Sequence, residues 1–128
     1  MHKVKNMFVK QIEQFNCYEA DLIVSDGQYN VRCYFSCYPP LTRIKEGQHV
    51  REIFTFLASD VVRVEQNKYL IKKEENYYAY YLQGKVIALD KPMISIGDLI
   101  IMLDSVFPKD ITIEDFVGLN VERLDCVL

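Results

Sequence analysis

The chain has 128 residues, 50% of them hydrophobic and 26% charged, a composition that excludes a disordered or fibrous segment and suits one globular core rather than two. Its net charge of −3 excludes the overall basic balance of a nonspecific DNA binder. No apolar run nears the roughly 18 residues that span a bilayer.

At the start, Val4, Met7, Phe8, Ile12 and Phe15 recur at helical spacing, yet FVKQIEQF equally suits the start of a first strand, and both readings stand. The opening MHKVKNMFVKQIEQF lacks the uninterrupted apolar stretch of a secretion signal, so a cytoplasmic address is expected, with no membrane partner. EADLIVS and QYNVRCYF flank Asp26-Gly27, whose glycine supplies the positive φ of a two-residue hairpin turn. Ala20, Leu22 and Val24 share one face of the first segment, and Tyr29, Val31, Cys33 and Phe35 one face of the second. Those faces are expected in the core.

Tyr38-Pro39-Pro40 ends that strand, because proline has no N–H for the ladder and holds its predecessor extended. After a loop through Gly47, HVREIFTFLA, VVRVE and YLIKK read as three strands, the last two separated by Gln66-Asn67. Lys72 to Asn76 reads as a charged turn. YYAYYLQGKVIAL and MISIGDLIIML then give two strands around the Asp90-Lys91-Pro92 break, with Gly84 and Gly97 as bulges or bends. Beyond a single turn at Thr112 to Asp115, the alternation of Val117, Leu119 and Val121 predicts a strand, since Gly118 and the β-branched valines weigh against a helix.

Some eight short, closely spaced strands with no long helical pattern predict one mainly β domain over residues 1–128, an antiparallel barrel or sandwich with at most a short helix. In strand number and glycine placement it resembles small OB-like barrels, a likeness of architecture alone.

Several chemistries find little support. Only His2 and His49 are available for a catalytic pair, and a lone loop histidine is usually a surface residue; no G-x-S-x-G, P-loop, dinucleotide fingerprint or H-E-x-x-H occurs. No enzyme, cofactor or metal is expected. Cys33 and Cys37 lie along one predicted strand, where residues four apart stand about 13 Å from each other, too far to share a zinc ion. With Cys17 and Cys126 they are read as reduced, metal-free thiols.

Two features point outward. Residues 1–89 hold twelve bases and ten acids, whereas residues 90–128 hold three bases and eight acids, among them Asp104, Asp110, Glu114 and Asp115 around Phe107-Pro108. Solvated acids that confer solubility are the plain reading; a field for a basic partner is the functional one. Tyr77, Tyr78, Tyr80 and Tyr81 in one strand put rings on both faces, so one pair, Tyr77 with Tyr81 or Tyr78 with Tyr80, needs cover from within the domain or from a partner. Joined, these acids and tyrosines predict a noncatalytic protein-binding module, in its most concrete form a bacterial immunity protein that masks a basic toxin. The alternatives are a single-strand nucleic-acid binder, with Lys68, Lys72, Lys73 and Lys85 beside the rings, and a ligand-binding or enzymatic barrel. Five bases against three acids between residues 63 and 85 make the nucleic-acid reading the weaker one.

Overall fold

The structure, a computed structural model, describes residues 7–37 and 44–128. His2, Val4 and the Tyr38-Pro39-Pro40 strand stop lie outside the described residues. Nine strands follow one another: β1 (Phe8–Gln14), β2 (Glu19–Ser25), β3 (Asn30–Ser36), β4 (Glu52–Arg63), β5 (Leu70–Lys73), β6 (Tyr80–Ala88), β7 (Met93–Ile96), β8 (Leu99–Met102) and β9 (Phe116–Val127). Among the described residues there is no helix, and FVKQIEQ is the strand β1.

Strands β9, β4, β8, β7 and β6 are hydrogen-bonded in that order, and β6 pairs again with β9, which closes a five-stranded barrel. Strand β5 extends the sheet beyond β6, and the β1–β2–β3 meander joins through β3 and β9. Period-two alternation places the core. In β6, Tyr80, Leu82, Gly84 and Val86 are buried while Tyr81, Gln83 and Lys85 are half-buried on the other face. One contiguous cluster then runs from Ala20, Leu22, Val24, Val31, Cys33 and Phe35 into Leu82, Ile94, Leu119 and Leu124, so the meander shares the barrel's core.

The sheet is mixed rather than purely antiparallel. β4 runs parallel to β8 at Ile53↔Ile101, and β3 runs parallel to β9 at Tyr34↔Asp125. Parallel neighbours need a crossover, which the intervening strands provide.

Four local expectations change. HVREIFTFLA and VVRVE form one strand of 12 residues, β4, with an irregularity between Ser59 and Val62 and positive φ at Leu57 and Asp60. MISIGDLIIML is the β7–β8 hairpin, turned at Gly97 with φ 60°. Gly84 pairs regularly with Val117; the bulge of β6 falls between Val86 and Ala88, and glycine is needed at 84 because a Cβ there would meet the Ser95 carbonyl at 2.6 Å. Asp26-Gly27 does supply a positive φ of 99°, but the turn has four residues, since Ser25↔Asn30 is the last strand pair. The Asp26 carboxylate explains the longer loop: it accepts from the amides of Gln28 (2.8 Å), Tyr29 (2.7 Å) and, across the molecule, Asp98 (2.7 Å).

Candidate functional site: an aromatic and guanidinium face

Asp21 sits on β2 between Ala20 and Leu22, on the face opposite to theirs, and is nonetheless only 1% exposed. A carboxylate so buried requires partners. Three converge on it: Tyr77 Oη donates to Oδ2 (2.8 Å), Tyr78 Oη to Oδ1 (2.7 Å) and Arg32 Nη1 to Oδ2 (3.2 Å). Arg32 lies on β3 two strand positions from Tyr34, on the face away from Val31 and Cys33. The two tyrosines come from the turn between β5 and β6, which Lys73 Nζ holds by donating to the carbonyls of Glu74, Asn76 and Ala79.

Tyr77 and Tyr78 therefore belong to a turn and not to the β6 strand in which their sequence places them. Lys73↔Tyr80 is the last pair of the β5–β6 ladder, so the chain reverses before it reaches Tyr80. The four tyrosines consequently part company. Tyr80 points inward, and its Oη accepts from the Arg32 amide at 2.8 Å across the seam between β6 and β3. Tyr81 points outward, donates to Gln83 Oε1 (2.8 Å) and lies over Gly118. Tyr77 and Tyr78 fold over β2 and β3.

From there the rings continue across the sheet. Arg32 stacks on Tyr77 (5.0 Å), Tyr77 meets Tyr78 edge to face (4.7 Å, 85°), and Tyr78 meets Tyr34 in the same way (6.1 Å, 79°). Beyond Tyr34, the guanidinium of Arg123 lies between two rings, 4.7 Å from Tyr34 and 4.6 Å from Phe56. Strand register accounts for that placement, because Tyr34 pairs with Asp125 and Phe56 pairs directly with Arg123. Arg123 is fixed by a two-point contact with Asp125, Nε to Oδ1 at 2.6 Å and Nη2 to Oδ2 at 3.1 Å. The ladder ends open: Tyr77 is 52% and Phe56 44% exposed.

The face is electrostatically negative despite its arginines. Arg32, Arg123 and Lys73 stand among Glu13, Glu19, Asp21, Asp125, Glu74 and Glu75, so carboxylates outnumber cations. Hydrogen bonds from Tyr34 Oη and Asn16 hold the Glu19 carboxyl below its usual range. Burial, reinforced by the Asp21 hydrogen bond, pushes the Tyr78 phenol up; for Tyr77 that hydrogen bond is the main cause. Both phenols stay neutral donors at physiological pH.

The acids of the last third are occupied elsewhere. Asp104 accepts from Thr55 Oγ1 (2.7 Å) and from the amides of Leu57 (2.7 Å) and Ala58 (3.0 Å), which holds the positive-φ residue Leu57 in β4. Burial pushes its carboxyl up, but those three donors outweigh it and the net shift is downward. Arg63 takes both Asp110 (3.4 Å) and Asp115 (3.1 Å), and Asp115 also accepts from the Thr112 amide (2.8 Å) within the expected turn. Glu114 is exposed at φ 76°. No hydrogen bond or ion pair among the described residues joins these four acids to Tyr77 or Tyr78.

The cysteines do not enter the site. Cys33 and Cys126 are buried and in contact, burial pushing the Cys33 thiol up, whereas Cys17 is exposed. Comparison with protein-family models, with curated proteins and with solved structures found no match.

Sequence reading missed Asp21, Arg32, Tyr34, Arg123, Asp125 and Phe56. The signal was present in each strand, since Arg32 and Tyr34 alternate against Val31 and Cys33, and Arg123 and Asp125 against Leu124 and Cys126. What no local pattern gives is the adjacency of β3 and β9, through which the two outer faces meet.

Proposed function

We propose that the protein is a noncatalytic protein-binding module whose binding surface is the face that runs from Tyr77 through Tyr34 and Arg123 to Phe56. One observation carries this reading: the rings and guanidinium groups are already ordered against one another, yet Tyr77 and Phe56 remain about half exposed. Tyrosine and arginine dominate interface hot spots, and side chains held in place before binding lose little rotamer freedom on it. The surplus of carboxylates favours a basic partner and works against stacking of single-stranded nucleic acid, whose phosphates they repel. A toxin-neutralising immunity protein that masks a basic partner is the concrete form of this reading, with Glu13 and Glu19 supplying the field rather than Asp104, Asp110, Glu114 and Asp115.

A pull-down from the native host tests it. Folded Tyr77→Ala and Phe56→Ala variants should lose partners that the wild type and an Asp110→Lys variant retain. Equal retention by all would refute the assignment of this face.

A further inference from the structure

Leu57 occupies a backbone conformation that leucine avoids. Its φ is 57°, in the left-handed region where a Cβ crowds the following carbonyl and where glycine or asparagine is the usual residue. The chain holds it there: Asp104 accepts from the amides of Leu57 (2.7 Å) and Ala58 (3.0 Å), and β4 stays paired with β9 on both sides of it, at Phe56↔Arg123 and Ala58↔Val121. Core packing does not account for the strain, since Leu57 is 53% exposed. Backbone strain of this kind clusters at ligand-binding and switch regions.

Beside Leu57 lies an open depression of about 200 Å³, lined from three stretches of chain, 57–59, 74–80 and 120–122. Ala79, Tyr80 and Val121 give it apolar surface, and Glu74 and Glu122 flank that surface with carboxylates. Glu122 is exposed and makes no side-chain hydrogen bond or ion pair among the described residues. Glu74 lies beside Lys73, whose ammonium is committed to three backbone carbonyls. The depression adjoins the face already described, because Leu57 follows Phe56, Glu122 precedes Arg123 and Ala79 follows Tyr78 in the chain.

We infer that Leu57 is a further anchor of the binding surface and that the depression beside it receives an aliphatic side chain of the partner flanked by basic residues. The inference rests on the protein-binding reading of the face and adds one residue and one contact to it. Charge complementarity sets the occupant: carboxylates beside an apolar floor suit an aliphatic group carried between lysines or arginines and oppose one carried between acids. Because the strained backbone fixes Leu57 before binding, little conformational freedom is lost when it is covered.

The test is an NMR titration of the full chain, observing leucine and valine methyl signals, with the capped peptide Gly-Lys-Leu-Lys-Gly and its Gly-Lys-Ser-Lys-Gly and Gly-Glu-Leu-Glu-Gly counterparts. The first should shift the Leu57 and Val121 methyls and bind about fivefold more tightly than either counterpart. Read at Val121, Leu57→Ala and Leu57→Gly should each weaken that binding about tenfold, and Leu57→Met should retain it. Glu122→Lys should weaken it about fivefold. Of the two truncations Leu57→Gly should have the higher urea midpoint, because glycine accepts the positive φ that strains alanine. A loss of binding common to both then belongs to the side chain and not to stability.

Equal binding of the three peptides, no shift with any of them, or wild-type binding by both folded truncations would overturn the anchor. The pull-down separates that failure from failure of the face. Partners lost on Tyr77→Ala and Phe56→Ala but retained by Leu57→Ala would leave the face standing without this anchor, whereas partners retained by all three variants would remove both.

Discussion

The outer face of β2, β3 and β9 and the acidic stretch between β8 and β9 both attract attention in the sequence, one for its rings and one for its charge, and the structure uses them in opposite ways. In the acidic stretch the carboxylates serve the chain: Asp104 holds the irregular part of β4, and Asp110 and Asp115 share Arg63. Across the outer face Asp21 and Asp125 are committed to Arg32 and Arg123, while the rings stay open at Tyr77 and Phe56. Net charge along a segment is thus a poor guide to a charged surface. A carboxylate contributes little field to a partner where an internal cation already pairs with it, as Arg63 does for Asp110 and Asp115.

The two regions should separate most sharply on loss of Asp21. Its side chain is fully buried while Arg32 remains 26% exposed, so Asp21→Ala leaves two phenols and a guanidinium without their acceptor. Because Arg32 can turn to water, the cost falls below that of a wholly buried pair, and we expect about 2–3 kcal/mol in urea denaturation. Asp104→Ala should come next, at about 1.5–2 kcal/mol, as the amides of Leu57 and Ala58 lose a charged acceptor. Gly27→Ala should cost about 1 kcal/mol through its positive φ alone, since a methyl group there meets nothing within 4 Å. Asp110→Lys should leave the denaturation midpoint unchanged, because Asp110 is 70% exposed and Asp115 still holds Arg63.

Titration draws the same distinction. The Asp104 carboxyl is depressed in the folded state, so its contribution is present above the unfolded value of about 4 and is lost as pH falls through the folded one. Asp104→Asn should flatten the acid limb of stability measured by denaturation below about pH 4. The Tyr77 and Tyr78 phenols are raised, so their contribution is complete below the unfolded value of about 10 and disappears as pH rises through the folded values. Ultraviolet titration should show these two rings ionising above the ordinary tyrosine range, and Asp21→Asn should bring both back toward it.

Much of the fold is legible in the sequence, because strands such as NVRCYFS in the meander and YYLQGKVIA in the barrel bury alternate residues and punctuation falls at Asp26-Gly27 and Gly97. The errors arise where a side chain distant in sequence stabilises an irregular backbone. Asp104 allows β4 to continue through Leu57, where local reading sees two strands. Lys73 closes a turn around Tyr77 and Tyr78, where four tyrosines in five residues look like one strand. The candidate face was less legible still. Its pieces lie on β3, β4, β9 and a turn, and only the sheet order brings them together.

Site-specific photo-crosslinking in the native host tests the assignment of the face most directly, with a benzophenone amino acid replacing Tyr77 or Phe56 on the ladder, or Val106 or Ile113 beside the acids. All four positions are well exposed, Val106 at 82%, so accessibility does not bias the result. The ladder positions should join the chain to a common protein partner, and the acidic positions should not. The same partner captured from Val106 and Ile113, and not from Tyr77 and Phe56, would contradict the assignment and return the binding surface to the acidic stretch.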